Sequence, residues 1–377
     1  MVVLSGRKLK PVEEDYYDQL DSLLRQAQEL PDGLARTELI RQAVKIADLT
    51  GDEVTQFHVR TMFVQSAFDS GEADEMLVAL GWCVGVYDKD PETFDSAFGH
   101  PDVIIDVMSS AFAYLTTFPS ISRKKIETML DDYEQRYRRA GLGLRTLYLE
   151  RTRNSFWLGD LEKAKVNFEK VRQSPSKDGW GEEHERIFTT DYYVHMYDDE
   201  AAVAEAEPVI QSSGPIVESA MWILSFVLAP LVRLNRLDDA RACQQHSYRM
   251  VRQNPKYLGL AAKHLIYLTA IGDHAQAVTM LETHAPWLND VCCETKKMTF
   301  FVAGWKLFRD LAANGTSHVR INLPESVGPA VENNNYACQE LADWFQTEAE
   351  KIRDLFNKRN GNEAVSREIQ SQLDLQP

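Results

Sequence analysis

The sequence predicts an all-α protein, a solenoid of antiparallel helix pairs with a C-terminal capping helix. Three observations carry that expectation. Short turns recur at Leu158-Gly159-Asp160, Tyr197-Asp198-Asp199, Leu234-Asn235-Arg236 and Ile271-Gly272-Asp273, so that residues 159, 197, 235 and 272 lie 38, 38 and 37 apart. Each turn follows an apolar helical stretch and is followed five residues later by alanine: Ala164, Ala202, Ala240 and Ala277. A period of this size marks stacked helix pairs, each of which buries its apolar face only against its neighbours. Helical spacing also fills nearly all the rest of the chain, and only Val319-Arg320-Ile321-Asn322-Leu323-Pro324 reads as extended.

The elements follow in order. Asp15 to Leu30 carries Tyr17, Leu20, Leu23, Leu24 and Ala27 on one helical face and is stopped by Pro31-Asp32-Gly33. Leu34–Leu49, Glu53–Phe68 and Ala73–Val86 follow, punctuated by Thr50-Gly51-Asp52, Asp69-Ser70-Gly71 and Asp90-Pro91. Pro101 and Pro119 bracket a helix over Val103–Phe118, and Ser122–Ala140 supplies its partner. From Leu142 the regular ladder begins. Its first helices are Leu142–Leu158, Glu182–Tyr197, Val217–Leu234 and Leu258–Ile271; its second helices are Leu161–Gln173, Glu200–Gln211, Leu237–Arg252 and His274–His284. Thr295–Ala313 is one more helix, and Cys338–Lys358 is the last. The expected organisation is therefore loose helix pairs over 1–141, regular repeats over 142–313 and an extended linker over 314–336. A capping helix over 337–361 and a disordered polar tail over 362–377 complete it.

At 377 residues the chain is longer than one compact core usually supports, which suits an extended array. Lys and Arg total 41 against 57 Asp and Glu, a formal charge of −16 that repels phosphate backbones and anionic lipid. Nucleic-acid and membrane partners are therefore disfavoured. The five cysteines fit neither a disulfide framework nor a zinc site, and Met1–Gly6 is too short for a signal-peptide core, so a cytoplasmic location is expected.

The turns carry a resemblance. Gly159-Asp160…Ala164…Phe168…Pro175 and Gly272-Asp273…Ala277…Leu281…Pro286 are similar to the tetratricopeptide repeat family. The units around Ala202 and Ala240 are weaker copies, and Gly71…Leu80…Cys83…Pro91 is an earlier one. The resemblance implies a right-handed α-solenoid whose first helices line a concave groove that binds a protein or peptide. The chain departs from the family in its longer period, and in Tyr197 and Asn235 where turn glycines are usual. Phe356-Asn357-Lys358-Arg359-Asn360-Gly361 is similar to the close of some bacterial repeat proteins.

No phosphate-binding glycine loop, nucleophile elbow or zinc-binding pair is present, so no catalytic residue, metal or cofactor is assigned. The polar stripe that stands out is His184, Phe188, Asp191 and His195, at offsets 0, 4, 7 and 11 along one helix face. Imidazole and carboxylate here could accept donors from a bound peptide, titrate near neutrality, or belong to a half-wet surface face. A single metal site is disfavoured, because the line spans about 16 Å at 1.5 Å per residue. In the same register the neighbouring first helices offer Arg153 and Trp157 on one side and Trp222 and Ser225 on the other. Arginine and aromatics are typical of binding hot spots, although Trp157 and Trp222 could equally be inter-repeat core.

The leading expectation is a non-enzymatic scaffold or adaptor that binds a protein or peptide segment in its groove, through Arg153, Trp157, His184, Asp191, His195 and Trp222. The alternative is a regulatory sensor responsive to a peptide or small ligand, and a metal-dependent enzyme ranks last. The final helix, with Cys338, Leu341, Phe345, Ile352, Leu355 and Phe356 on one stripe, is expected to cap the array, or else to form a homodimer contact.

Overall fold

The computed structural model describes residues 11–377 except 113, 177–178, 180 and 213–216; the Met1–Gly6 segment lies outside the described residues. The protein is an all-α helical-repeat protein whose chain divides into two compact units, Met1–Leu142 and Gly143–Pro377.

The first unit contains α1 (Pro11–Glu29), α2 (Leu34–Thr50), α3 (Glu53–Asp69), α4 (Ala73–Tyr87), α5 (Pro91–Phe98), α6 (Val103–Phe112) and α7 (Arg123–Arg139). Sequence neighbours pack in turn, α1 on α2, α2 on α3 and α3 on α4. The starts are set by side chains that accept otherwise unmatched amides: Asp52 from Val54 and Thr55, Asp90 from Thr93, and Ser122 from Lys125. The Asp90-Pro91 cap begins a short helix, α5, that the sequence reading did not separate. Its Phe94 sits 4.8 Å from the Phe57 ring of α3. The helix expected over Val103–Phe118 stops at Phe112 and resumes as a 3-10 turn over Leu115–Thr117. Arg136 of α7 forks onto both carboxylate oxygens of Asp88, at 2.6 and 2.9 Å, just past the end of α4.

The second unit contains α8 (Arg145–Trp157), α9 (Leu161–Gln173), α10 (Glu182–His195), α11 (Asp199–Ile210), α12 (Glu218–Phe226) and α13 (Leu228–Arg233). It continues with α14 (Leu237–Val251), α15 (Leu258–Ala270), α16 (His274–His284), α17 (Glu294–Ala313), α18 (Cys338–Asn360) and α19 (Ala364–Leu373). The pairs are α8/α9, α10/α11, α12–α13/α14, α15/α16 and α17/α18, and the first helices of successive pairs also touch: α8 on α10, α10 on α12, α13 on α15, α15 on α17. One expected helix, Val217–Leu234, is broken at Val227. Pro230 has no N–H for the Phe226 carbonyl, and its ring displaces that turn.

The ladder is a repeated piece of geometry. Gly159, Tyr197, Asn235 and Gly272 all adopt positive φ, at 78°, 56°, 56° and 78°. In every turn the next amide reaches back five residues: Asp160 to the Ser155 carbonyl, Asp198 to Tyr193, Arg236 to Leu231 and Asp273 to Leu268. This is the Schellman arrangement that closes a helix on a left-handed residue. Asn tolerates that conformation through its short polar side chain, whereas Tyr197 adopts it at a cost of about 1–2 kcal/mol. The four alanines that follow are fully buried, where a larger side chain would separate the paired helices. Arg145 links one repeat to the next: its Nη1 donates to the Val171 and Ser174 carbonyls at the end of α9, while Nε faces Glu185 of α10 at 2.9 Å. In the last pair, a Cβ on Gly304 of α17 would lie 2.5 Å from the Phe345 ring of α18, so glycine sets how closely these two approach.

Two expectations about the C-terminal part need correction. The 314–336 linker is anchored by a two-stranded antiparallel ladder, β1 (His318–Arg320) with β2 (Asn335–Ala337), because Val319 pairs with Tyr336 as the chain returns to α18. The tail expected to be disordered over 362–377 forms α19. Its polar composition conceals Val365, Ile369 and Leu373 at four-residue spacing, and all three are buried along with Leu375. Within α18, Leu355 is exposed while Phe345 and Phe356 are buried, so the expected stripe is narrower by one residue.

The core of the second unit also holds two neutral histidines. His264 Nε2 lies 3.2 Å from Ser225 Oγ and 3.4 Å from Ser247 Oγ, and His284 Nε2 lies 2.8 Å from Tyr248 Oη. Burial, aided by the charge on His284, pushes His264 down to about 3, and burial pushes His284 down to about 4. The unfolded chain therefore takes up these protons first. The stability they support is complete above pH 6.5 and is lost as pH falls toward the folded values, by about 1.4 kcal/mol per pH unit per histidine. The histidine contribution is expected to lower the melting temperature steadily from pH 6.5 to pH 5. A His284→Gln variant, followed by circular dichroism, should show a shallower fall; an unchanged slope would remove His284 from this account.

Candidate groove in the second unit

α19 packs on α17 and α18, faces other first helices of the second unit across a small cavity, and is held at both ends. At the entry, Asn360 Nδ2 donates to the Trp157 carbonyl at 3.2 Å and Asn362 Nδ2 to the Leu158 carbonyl at 2.9 Å, so two asparagines satisfy the open carbonyls at the end of α8. Asn362 Oδ1 also accepts the Ala364 amide at 3.0 Å, which starts α19. At the exit, Lys306 of α17 is fully buried, and its Nζ donates to the Leu373 and Leu375 carbonyls at 2.9 and 3.0 Å, with Asp310 Oδ2 at 3.4 Å. Arg309 Nη2 donates to the same Leu373 carbonyl at 2.8 Å. Two cations thus meet the negative end of the α19 dipole. Burial pulls the Lys306 ammonium below the usual lysine value, and Asp310 counteracts it.

Between these ends a cavity of about 100 Å³ separates α19 from α8, α10, α12, α13 and α15. Phe156, Trp157, His195 and Phe226 line it from the array, and Val365 and Glu368 line it from α19. The His195 ring stacks on Phe156 at 4.3 Å and tilts against Trp157 at 5.0 Å. Its Nδ1 lies 2.9 Å from the Asp191 carbonyl and 3.3 Å from Asp191 Oδ1. Nε2 is buried with no partner among the described protein atoms. Burial pulls the imidazole down, but Asp191 and then Glu368 of α19 outweigh it, leaving it above the ordinary histidine value. The carboxylate from the seated helix therefore reinforces the charge of a groove residue.

The sequence-derived site residues divide into three groups. Trp157 and His195 come together in the cavity facing α19, and Asp191 holds the His195 ring from behind. Arg153 and His184 form a separate cluster: Arg153 pairs with buried Glu150 at 3.0 Å and lies over the Phe188 ring at 5.1 Å, and the exposed His184 ring is 5.5 Å from Phe188. Trp222 packs between repeats with Phe226 and Tyr257, the core alternative rather than a groove position. Sequence reasoning missed Lys306, Arg309, Asn360, Asn362 and the α19 stripe. The four-residue spacing of Val365, Ile369 and Leu373 was the available signal, together with a lysine set among Phe300, Phe301, Leu307 and Phe308.

Ser225 and His264 touch, yet they do not form a nucleophile and base. The hydroxyls of Ser225 and Ser247 each donate to the carbonyl four residues back, at 2.7 Å, so their oxygens are left to accept the Nε2 proton of His264. A base would need the opposite polarity. Among the described residues, no group of three or more His, Cys, Asp or Glu side chains is placed to hold a metal ion, and no helix is long and apolar enough to cross a membrane. A comparison with known protein families gives no match, and a comparison with curated proteins gives none either.

Gly159 ties the repeat geometry to the groove. A Cβ there would lie 2.5 Å from Ala364 Cβ and 2.5 Å from Asn362 Oδ1, whereas a Cβ on Gly272, with the same φ of 78°, meets nothing within 4 Å. Gly159→Ala and Gly272→Ala should therefore share a backbone cost of about 1–2 kcal/mol. Only Gly159→Ala should also accelerate hydrogen exchange of amides 364–373. Equal exchange in the two variants would mean that the turn does not support α19.

Proposed function

We infer that the second unit is a tetratricopeptide-like scaffold or adaptor, non-enzymatic, that binds a helical protein or peptide segment on the inner surface of its first helices. The observation that supports this is α19 itself. A ten-residue amphipathic helix seats there by an apolar stripe at i, i+4 and i+8, with polar receivers at both ends. This is the anchor pattern of helix-in-groove recognition. Trp157, Asp191 and His195 then act as the floor of the groove, and Arg153, His184 and Trp222 support the array around it. At this groove the small-ligand sensor is the weaker reading, since the cavity beneath α19, about 100 Å³, falls well short of the roughly 300–1,000 Å³ of ordinary ligand pockets.

Displacing the resident helix tests this. In full-length Ile369→Asp, a labelled peptide of residues 361–377 is expected to bind saturably by fluorescence anisotropy, and Trp157→Ala added to that chain should weaken it at least fivefold. The wild-type chain, already occupied, should bind the peptide far more weakly. No saturable binding to a folded Ile369→Asp chain whose tail is exchange-exposed would end the groove reading.

A further inference from the structure

We propose that the partner of this groove is an amphipathic helix with an acid beside its central anchor, read partly by its backbone, and that α19 is its built-in competitor; this rests on the groove reading above. Three contacts define what the groove selects. The stripe of Val365, Ile369 and Leu373, continued by Leu375, calls for aliphatic side chains at four-residue spacing. Glu368, next to the central anchor, lines the same cavity as His195, so an acid is favoured there. Lys306 and Arg309 take main-chain carbonyls of the last turn, which any sequence offers, so they set where a helix must end rather than which residue ends it.

A buried ammonium directed at backbone carbonyls fixes the register as well. If a bound helix shifted by one residue, its apolar stripe would rotate off the array while the carbonyls moved past Lys306. The partner class is thus narrow: a helix that ends at its third aliphatic anchor, with the captured carbonyls at that anchor and two residues on.

The competitor role follows from the connection. α18 ends at Asn360, is capped by Gly361 with φ 69°, and α19 begins at Ala364, so a link of three residues holds the seated helix beside its groove. A short tether gives an intramolecular ligand a high effective concentration. A partner in trans must outcompete it, and the wild-type chain engages only partners that are abundant or better matched. Release exposes Val365, Ile369 and Leu373, a change that can be read along the C-terminal segment.

The probe is the synthetic 361–377 peptide, with the full-length Ile369→Asp chain as receptor. An Ile369→Asp peptide should bind at least tenfold more weakly than the native-sequence peptide, and a Glu368→Lys peptide at least threefold more weakly. Receptors carrying Arg309→Gln or Lys306→Met in addition should lose at least fivefold; Arg309, on the rim, serves where Lys306→Met fails to fold. Undiminished binding by both receptor variants would overturn the carbonyl seat while leaving helix binding by the groove intact. Equal binding of the native, Ile369→Asp and Glu368→Lys peptides would overturn the selectivity. Failure of every peptide on a folded receptor with an exchange-exposed tail would instead remove the groove reading beneath it.

Discussion

The left-handed turn at Gly159, Tyr197, Asn235 and Gly272 is the constraint on which the second unit depends. Each turn reverses the chain in the fewest residues while consuming the free carbonyls of the first helix, through the amide that reaches back five residues. The second helix can then return in close contact, and the buried alanine five residues on keeps that contact short. Because the four turns share one geometry, the first helices arrive in equivalent orientations and stack on one another. A common inner surface is the consequence. It is assembled from Phe156, Trp157, His195 and Phe226, of which Trp157 and His195 each stand two residues before their turn.

An array built this way has an open apolar inner surface, and water there is unfavourable. Capping the last pair with α18 covers the end of the stack but not the inside. α19 covers the inside. Its position is set less by its own sequence than by polar groups left over elsewhere: the end of α8 has carbonyls to satisfy, and the end of α19 has carbonyls that Lys306 can satisfy only from within the core. A buried ammonium is costly unless fully coordinated, so Lys306 makes α19, or something shaped like it, part of the folded state of α17.

The repeat architecture was legible because its signals are local. Gly159 and Gly272 mark turns by chain stereochemistry, and even Tyr197 and Asn235 betray theirs by position, since the spacing holds where the glycine does not. The break of the third first-helix was missed although its signal, Pro230, is local. Most of what else escaped was long-range. Nothing near Asn360 or Asn362 in sequence indicates that their amides serve carbonyls some two hundred residues earlier. Lys306 reads as a surface lysine until the chain that surrounds it is known. The stripe His184, Phe188, Asp191 and His195 shows the same limit: it is one face by periodicity, yet of its members only His195 lines the cavity beside α19, so His184 stays exposed while His195 is enclosed.

Whether α19 is permanent lining or a displaceable segment is decided by the size of opposing terms. Burying Val365, Ile369, Leu373 and Leu375 contributes about 1.5–3 kcal/mol each. The handful of hydrogen bonds at its two ends adds about 1 kcal/mol apiece. Against this, ordering the backbone of roughly a dozen residues costs about 1–2 kcal/mol per residue. The totals are of similar size, so α19 is held by a margin small compared with either. Helices in the body of the array are in a different position: Leu265 or Leu231 is enclosed by neighbouring helices and cannot leave without opening the stack. α19 is joined to α18 by a link of only three residues. It can therefore leave as a unit, and the surface it leaves keeps its shape because the turns, not α19, define it.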